Sequence, residues 1–389
     1  MSGFLHARRT VLRTMAAAGA VALGAAACSP KDVAAGPDDP SSAPSGNPSG
    51  EASGRRLGAE WESHARTFMS WPASQDIWGE HLAPVRQDIA GIARAVGAHE
   101  PVIMLARPDQ VDAAQKAVGA DVEVVPISVN DLWARDTVPV FVEEGKQVRG
   151  VDFNFSGWGG KQQHTADAKV GRAVLSKYGI PRDQTWIVAE GGSFETDGEG
   201  TLMVTESSVV NKNRNPGKSR QQIEDELKRV LGVQKVIWFD GVRGEDITDA
   251  HVDSLARFVA PGVVLLDQAF PGEPANSWSR SADQAKKVLK DATDARGKKL
   301  QVIELPQPDP NAITGRDPKM VTTYANFYVA NQSVFLPKFG DAKADDRARQ
   351  MLRDHFPGRE VVSLKIDTIA SGGGGIHCST HDEPGKPAS

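Results

Sequence analysis

The chain has 389 residues, of which 40% are hydrophobic and 24% are charged, and its formal net charge at pH 7 is −5. A chain of this length and composition buries a large core, which favours a soluble globular protein. Nucleic acid is excluded as an expected partner, because proteins that bind it present strongly basic surfaces.

The first 27 residues have the pattern of an export signal. Arg8 and Arg9 precede an Ala-rich apolar stretch, and three alanines at 25–27 precede Cys28. This order resembles a twin-arginine (Tat) signal, and an ordinary secretory signal with a basic start is the alternative. We therefore predict a Tat-type signal peptide over residues 1–27 and an extracytoplasmic location.

Residues 28–56 are predicted to form a disordered tether, because they are rich in Ser, Pro and Gly and offer almost nothing to bury. Cys28, at the start of this segment, is a candidate site of lipid attachment that would tether the protein to the membrane. Ala25 stands where a lipoprotein signal usually has Leu, so a lipidated and an unlipidated Cys28 both remain open.

Residues 57–389 are predicted to form one α/β domain, because short apolar strands alternate with amphipathic helices without a Ser/Pro-rich break. Two helices begin with capping boxes, Ser219 with Gln222 and Ser281 with Gln284. The predicted helices are Leu82–Ala98, Pro108–Val118, Asp167–Tyr178, Ser219–Leu231, Ser281–Ala295 and Asp345–His355. The predicted strands are Val102–Leu105, Val122–Ile127, Val138–Val142, Gly150–Phe155, Thr185–Ala189, Leu202–Thr205, Lys235–Phe239, Val263–Asp267, Gln301–Leu305, Ala325–Val329, Val334–Pro337 and Val361–Ile366.

Strands outnumber helices in this pattern, and Phe327–Ala330 with Val334–Pro337 has the spacing of a hairpin. The order therefore differs from the simple βαβ rhythm of a doubly wound sheet. No glycine-rich dinucleotide loop or Walker loop lies between a predicted strand and helix, so we expect no nucleotide cofactor.

Cys378 is the only cysteine of the predicted domain, so no disulfide can form within that domain. It follows a run of four glycines, residues 372–375. A lone thiol in an exported protein is either a nucleophile or an inert buried side chain. Cys378 is therefore a candidate catalytic residue.

A second candidate segment surrounds His251. Strand geometry would place Asp249, His251 and Asp253 on one face, where the carboxylates favour an imidazolium. An imidazolium beside Cys378 would in turn favour the thiolate. A structural histidine is the alternative, and a metal site is a third interpretation, although no second His lies at ligand spacing.

Two further segments contribute acidic residues. In the first interpretation, Asp136 holds a planar cation and Trp133 forms a wall of its site. In the second, Arg135 pairs with an acid and the segment only stabilises a turn of the chain. Glu190 ends a strand before two glycines, which let backbone approach closely, and a turn with Glu190 facing water is the alternative.

Together these segments describe one reaction. Three carboxylates, those of Asp136, Glu190 and Asp253, could hold a guanidinium group by charge-assisted hydrogen bonds. His251 could then move protons while Cys378 attacks the guanidinium carbon.

The order of the motifs resembles the agmatine deiminase and bacterial peptidylarginine deiminase family, which belongs to the guanidine-modifying pentein superfamily. The resemblance spans nearly all of residues 57–384. Its motifs are Ala59-Glu60-Trp61-Glu62, Ser70-Trp71-Pro72, Trp133-Ala134-Arg135-Asp136, Trp158-Gly159-Gly160, Glu190-Gly191-Gly192, Arg214-Asn215-Pro216, His251-Val252-Asp253 and Gly373-Gly374-Gly375-Ile376-His377-Cys378.

This resemblance implies a pentein fold, a five-bladed α/β propeller with a central active site and no metal or organic cofactor. It implies that Cys378 is the nucleophile and that His251 is the general acid and then the base. Asp136, Glu190 and Asp253 would be the guanidinium ligands. The implied reaction is hydrolysis of agmatine to N-carbamoylputrescine and ammonia through a covalent amidino-thioether, a step of putrescine and polyamine synthesis.

The segment Ile247-Thr248-Asp249-Ala250 departs from the family pattern, which has an acid followed by Thr-Asn-Gly in cytosolic agmatine deiminases. Loss of the acid at Ile247 would remove a contact to the far end of the substrate. Agmatine is the expected partner, and free arginine or peptidyl-arginine, giving citrulline, is the alternative. A tethered guanidine-binding lipoprotein without turnover is a third hypothesis, and a homo-oligomer is left open.

Overall fold

The computed structural model describes residues 54–385 of the chain. Their strands are β1 Arg55–Arg56, β2 His64–Ser70, β3 Val102–Ala106, β4 Val122–Pro126, β5 Val140–Glu144, β6 Gln147–Asp152, β7 Arg182–Gln184, β8 Glu195–Thr196, β9 Thr201–Thr205, β10 Lys235–Phe239, β11 Ala256–Ala260, β12 Val263–Gln268, β13 Gln301–Pro306, β14 Tyr328–Val329, β15 Ser333–Lys338, β16 Glu360–Lys365 and β17 Thr380–Pro384.

The helices within the same residues are α1 Gln75–Trp78, α2 Leu82–Gly97, α3 Val111–Val118, α4 Ala134–Thr137, α5 Gly157–Gly160, α6 Val170–Tyr178, α7 Glu206–Val209, α8 Arg220–Leu231, α9 Ser277–Asp291, α10 Ala342–His355 and α11 Asp367–Ser371. Short turns of 3₁₀ helix are Gly79–His81, Pro108–Gln110, Asp167–Lys169, Gly191–Ser193, Val252–Ser254, Pro310–Ala312 and His377–Ser379. None of the helices in this part of the chain has both the length and the apolar character needed to cross a bilayer.

The strands form five sheets, and each sheet contains the same ββαβ unit, an antiparallel pair followed by a helix and a strand parallel to the second. A helix between parallel strands supplies the long crossover that parallel pairing requires. The units are β5-β6-α6-β7 with β1 beside β5, β8-β9-α8-β10, β11-β12-α9-β13, β14-β15-α10-β16, and β17-β2-α2-β3 with β4 beside β3. The α/β prediction is confirmed, and five repeated units are the number that a five-bladed propeller requires.

A buried polar network connects the five units; its side chains are those of Glu60, Arg135, Glu195, Arg257 and His377, and we call it the central network. The carboxylate of Glu60 lies 2.8 Å from Arg135, 2.9 Å from Arg257 and 2.9 Å from His377. Arg257 also lies 2.9 Å from Glu195 and donates to the carbonyl of Phe327, just before β14, at 2.7 Å. Each unit therefore contributes to one common centre, which is how the blades of a propeller meet.

Helix α8 illustrates how the sequence forms the helices of these units. Ser219 accepts a hydrogen bond from the backbone of Gln222 at 3.2 Å, and the Gln222 side chain accepts one from the backbone of Ser219 at 3.0 Å. The capping box predicted at Ser219 is confirmed. The apolar stripe from Ile223 to Leu231 is buried, and Gly232 ends the helix with a left-handed φ of 73°.

The capping box predicted at Ser281 is wrong. Asn276 accepts a hydrogen bond from the backbone of Ser279 at 2.9 Å, and the Ser279 hydroxyl accepts one from the backbone of Asn276 at 2.9 Å. Because Asn is a strong N-cap residue, α9 begins at Ser277, upstream of the prediction.

The strand predicted over Thr185–Ala189 is also wrong. Asn154 donates to two carbonyls of this segment, at 2.9 and 3.0 Å. Asn215 pairs with both backbone groups of Val188, at 3.0 and 2.9 Å. Side-chain amides thus supply the hydrogen bonds that a neighbouring strand would supply. The segment has no regular secondary structure, and its backbone groups still have partners.

The folded domain begins before its predicted boundary. Arg55 and Arg56 form β1 and pair with Glu144 and Glu143 of β5, so the predicted tether is wrong at these two residues. The rest of the predicted tether, its start at Cys28 and the predicted export signal all lie outside the described residues.

Candidate active site

Cys378 lies in the 3₁₀ turn between the glycine run and β17, and its side chain is 8% exposed. The sulfur is 3.1 Å from Nδ2 of Asn326 and 3.4 Å from Oδ2 of Asp253. Asn326 also accepts a hydrogen bond from the backbone N–H of Cys378 at 3.2 Å. One amide side chain therefore fixes both the backbone and the sulfur of the candidate nucleophile.

The glycines before Cys378 allow close packing against aromatic and polar neighbours. A Cβ on Gly374 would collide with the ring of Trp133, and a Cβ on Gly375 would lie 2.5 Å from Oδ1 of Asn326. The Trp133 side chain is buried. The structure thus places the predicted wall residue directly against the segment that carries the thiol.

Asp253 lies in the 3₁₀ turn after His251 and is fully buried. Its Oδ2 accepts a hydrogen bond from Nδ1 of His377 at 2.8 Å and lies 3.4 Å from the Cys378 sulfur. Burial would raise the pKa of Asp253, but the interactions with His377, His251 and Arg257 outweigh it and lower the pKa to about 2. Asp253 is therefore a carboxylate throughout the neutral range.

Asp136 lies in α4, and its side chain is also buried. Oδ2 accepts a hydrogen bond from Nε1 of Trp158 at 2.9 Å, and Oδ1 accepts one from the backbone of Gly192 at 3.2 Å. Burial raises the pKa of Asp136 to about 6, and nearby Glu190 adds to this rise while His251 opposes it. Asp136 is ionised above about pH 6.

Gly192 marks the point where the predicted residues meet. A Cβ at this position would lie 2.6 Å from Nδ1 of His251, 3.0 Å from Oδ1 of Asp136 and 3.1 Å from Oδ2 of Asp253. Three side chains from two segments of the chain therefore border one small space, which only a glycine leaves open.

His251 is held between two carboxylates. Its Nε2 lies 3.1 Å from Oε2 of Glu190, and its Nδ1 lies 3.7 Å from Oδ1 of Asp136. Burial would lower the pKa of His251, but Asp136 and Glu190 outweigh it and raise the pKa to about 9. The ring is therefore an imidazolium at neutral pH, with Nδ1 directed towards the space beside Gly192.

Glu190 is fully buried, and both of its oxygens lie 2.9 Å from Nε of Arg214. Burial raises its pKa, but Arg214 and His251 reverse that effect and lower the pKa below its usual range. The structure thus gives Glu190 two protein partners, Arg214 and His251. The predicted contact of Glu190 with a guanidinium stays a prediction, and its role in orienting His251 is visible directly.

The strand predicted around His251 is wrong. Asp249 and Ala250 have left-handed φ values of 61° and 64°, and Asp246 accepts a hydrogen bond from the backbone of Ala250 at 2.9 Å. The turn directs Asp249 towards Arg214, at 2.7 Å, and Lys161, at 2.6 Å. Asp249 therefore does not join the other two side chains of the predicted face.

The expected activation of the thiol by an imidazolium is wrong for this structure. Burial raises the pKa of Cys378 well above its ordinary value, and Asp253 and Asp136 raise it further, while the hydrogen bond from Asn326 opposes them. Burial and the two carboxylates outweigh that hydrogen bond, so the thiol is protonated at neutral pH.

Sequence reasoning assigned no role to four side chains that hold the predicted residues in place: Asn326, Trp158, Arg214 and His377. Three of them belong to the motifs quoted above, and Asn326 lies in the segment before β14. Their residue types gave no signal by themselves, because only the folded chain shows which atoms they contact. Arg135, by contrast, pairs with acids as one alternative proposed, at 2.8 Å from Glu60 and 3.2 Å from Asp382.

The arrangement suits a planar cation with an electrophilic carbon. The carboxylates of Asp136 and Asp253 can bind its nitrogens, the sulfur of Cys378 can attack its carbon, and His251 can donate a proton. Within residues 54–385, no three His, Cys, Asp or Glu side chains are grouped as a metal ion would need.

Comparison with known proteins gives consistent matches over the folded domain. Residues 56–384 match the family model described as Porphyromonas-type peptidyl-arginine deiminase. The chain is 36% identical over 360 residues to the agmatine deiminase of Medicago truncatula, covering 84% of this chain and 96% of that protein. It is 38% identical over 352 residues to the agmatine deiminase of Stutzerimonas stutzeri, covering 84% and 95%. The solved structure of Enterococcus faecalis agmatine deiminase matches with a TM-score of 0.79 at 30% identity, covering 85% of this chain and 96% of that one.

Proposed function

Because the chain belongs to the Porphyromonas-type peptidyl-arginine deiminase family, we propose that it hydrolyses agmatine to N-carbamoylputrescine and ammonia. Two relatives that are 36% and 38% identical over most of the chain are agmatine deiminases, which supports this substrate. The enzyme is accordingly a hydrolase that acts on the C–N bonds of an amidine.

The observation that carries the proposal is the meeting of Asp136, Asp253 and His251 at Gly192, with Cys378 adjoining Asp253. A guanidinium has five N–H donors in a plane and a single carbon at its centre. Carboxylates at its edges bind the nitrogens and leave the face of the carbon open to the sulfur. Trp133, beside the thiol turn, would form an apolar wall for the chain of the substrate.

Substrate binding would itself activate the nucleophile. Burial raises the pKa of the Cys378 thiol, and Asp253 and Asp136 raise it further because their negative charges oppose a thiolate. A bound guanidinium offsets both charges, so the pKa of the thiol falls and its proton leaves to solvent. The thiolate then forms only when its target is in place.

The reaction then proceeds in two halves. The thiolate of Cys378 attacks the guanidinium carbon, and His251 protonates a departing amino group, which leaves as ammonia. A covalent amidino-thioether remains on the sulfur. The neutral His251 takes a proton from water, and the resulting hydroxide attacks the same carbon. The C–S bond then breaks, the hydroxyl proton of the intermediate leaves to solvent, and the ureido product and the thiolate are released. Glu190 and Arg214 keep the His251 ring oriented throughout.

The direct test is ammonia release from agmatine by the purified full chain. We expect turnover by the wild type and a loss of more than about 10³-fold in Cys378→Ala, because the covalent route is then closed. Gly91→Ala, on helix α2, is a matched control because no atom lies within 4 Å of a Cβ at that position. Wild-type protein that releases no ammonia from any guanidine would refute the proposal and support a binding function.

Arginine and peptidyl-arginine are alternative substrates, and one observation favours comparing them. Ile247 packs its side chain against the apolar cluster that includes Cys378 and offers no carboxylate, while its carbonyl accepts a hydrogen bond from Lys161 at 3.1 Å. Agmatine, arginine and a peptide with a C-terminal arginine are therefore assayed side by side. A higher kcat/KM for either arginine compound would replace agmatine as the substrate.

The export signal and the lipid tether complete the proposed function, and their support comes from sequence alone. Arg8→Lys combined with Arg9→Lys should trap the protein inside the cell, whereas Arg13→Lys, the matched control outside the pair, should be exported. Cys28→Ser should release the exported protein from the membrane fraction if Cys28 carries lipid. Unchanged export of the paired variant would refute the Tat route.

A further inference from the structure

His377, the residue before the candidate nucleophile, joins the active site to the central network. Its Nδ1 lies 2.8 Å from Oδ2 of Asp253, and its Nε2 lies 2.9 Å from Oε2 of Glu60. The ring is 2% exposed, so water does not compete for either contact. Glu60 is held in turn by Arg135 and Arg257, at 2.8 and 2.9 Å.

The contact with Asp253 has a consequence for catalysis. Oδ2 of Asp253 faces both His377 and the Cys378 sulfur, and Oδ1 receives only a longer bond, 3.3 Å, from Ser254. The N–H of His377 is therefore the short contact that fixes the plane of this carboxylate. The orientation of this carboxylate therefore sets where a bound guanidinium lies relative to the sulfur of Cys378.

We propose that His377 is a positioning residue for deimination, which acts by holding Asp253 in the plane that places the guanidinium carbon over Cys378. The proposal rests on the proposed function, because it concerns the same bound guanidinium. His377 and Cys378 share one 3₁₀ turn, so a single short segment sets both the nucleophile and the carboxylate that aligns its target.

Two substitutions separate the contacts of His377. His377→Asn retains a side-chain N–H near the position of Nδ1, facing Asp253, and loses the contact with Glu60. His377→Gln retains an N–H near the position of Nε2, facing Glu60, and loses the contact with Asp253. We expect kcat/KM for agmatine to fall roughly 10²-fold in the Gln variant and no more than about tenfold in the Asn variant, because misplacing a bound reactant is costly.

The pH profile distinguishes positioning from a purely structural role. The groups that act on Asp253 are His377, His251, Arg257, Arg135, Asp136 and Cys378. Of the two carboxylates that bind the guanidinium in the wild type, Asp136, whose pKa is about 6, protonates on the acid limb of kcat/KM, whereas Asp253, whose pKa is about 2, stays ionised. When the His377 N–H is lost, we expect burial to outweigh the remaining positive charges around Asp253 and to raise the pKa of its carboxyl group. The acid limb should therefore steepen from a one-proton to a two-proton slope in the Gln variant only.

His381 provides a control for the loss of a buried ring. It is 3% exposed and bonds the carbonyl of Arg135 at 3.0 Å, without a contact to Asp253. His381→Asn should lower the melting temperature and leave the slope of the acid limb at one proton. A Gln variant of His377 that is as active as the Asn variant, or has an unchanged slope, would overturn the proposal.

Agmatine binding measured calorimetrically in a Cys378→Ala background keeps this inference separate from the proposed function. If wild-type protein lacks turnover but the Gln variant binds agmatine more weakly than the Asn variant, the proposed function fails and the role of His377 in positioning a bound guanidinium stands. Equal binding by the two variants overturns that role. If neither variant folds, the Cys378→Ala protein alone decides: binding that weakens with a one-proton slope as pH falls supports the proposal, and a two-proton slope overturns it.

Discussion

Gly192→Ala is the most direct test of how the site is assembled. The added methyl carbon would lie 2.6 Å from Nδ1 of His251, 3.0 Å from Oδ1 of Asp136 and 3.1 Å from Oδ2 of Asp253. Carbon needs about 3.5 Å from such atoms, so His251 must move by nearly 1 Å or the backbone must shift. All three neighbours are buried, which leaves them little room to yield.

The expected cost falls mainly on activity. Overpacking a buried position costs about 1–3 kcal/mol of stability, and displacing a catalytic group by about 1 Å costs roughly 10²-fold in rate. The methyl group also occupies the space assigned to the guanidinium, so KM for agmatine should rise as kcat falls. Ammonia release gives both constants, and urea unfolding gives the change in stability.

Gly91→Ala is the control for the same chemical change. It lies in α2 with open space around its Cβ, and the substitution should raise stability by about 0.5–1 kcal/mol with no change in kcat or KM. If Gly192→Ala kept wild-type kcat and KM while it folded normally, the site would not be built around this glycine.

Three further predictions concern charge. Alkylation of Cys378 by iodoacetamide should be slow at neutral pH and accelerate only above the ordinary thiol range, because burial, Asp253 and Asp136 raise the pKa of the thiol; Asp253→Asn should lower the midpoint. The kcat/KM for agmatine should fall as pH decreases through about 6, since Asp136 binds the guanidinium only as a carboxylate. Arg257→Met should lower the free energy of unfolding by about 3–5 kcal/mol, as it leaves the buried carboxylate of Glu195 without its cation and removes one of the two arginines that hold Glu60.

Each of these predictions has a contradicting result. An alkylation midpoint at or below that of a free thiol would mean that the carboxylates do not control the sulfur. A pH profile that stays flat well below pH 6 would remove Asp136 from guanidinium binding. A loss of less than about 1 kcal/mol in Arg257→Met would show that the central network does not stabilise the fold.

The sequence predicted the apolar elements better than the polar ones. The spans of α2, α8 and β10 follow from their apolar patterning, helped in α8 by its capping box. Strand β17, whose sequence is Thr-His-Asp-Glu-Pro, has no strand signal and forms because it pairs with β2 in the register Thr380 to Met69. Tertiary pairing overrides weak local preference in such segments.

The candidate site shows the same division. Sequence motifs identified Cys378, His251, Asp136 and Asp253 as residues for one reaction, and the structure brings them together. The motifs did not distinguish a carboxylate free to bind substrate from one already bound by the protein. Glu190 is of the second kind in this structure, because Arg214 occupies both of its oxygens.

The sequence by itself determined the residue types and their order, and the ordered motifs that they form indicated the class of chemistry. Only the tertiary structure decided their electrostatic state. Burial and charge act through space, between residues as far apart in the chain as Asp136 and Cys378. The thiol that sequence patterns describe as a thiolate is therefore protonated in the folded protein. The positive charge of a bound substrate would lower the pKa of this thiol and allow its proton to leave.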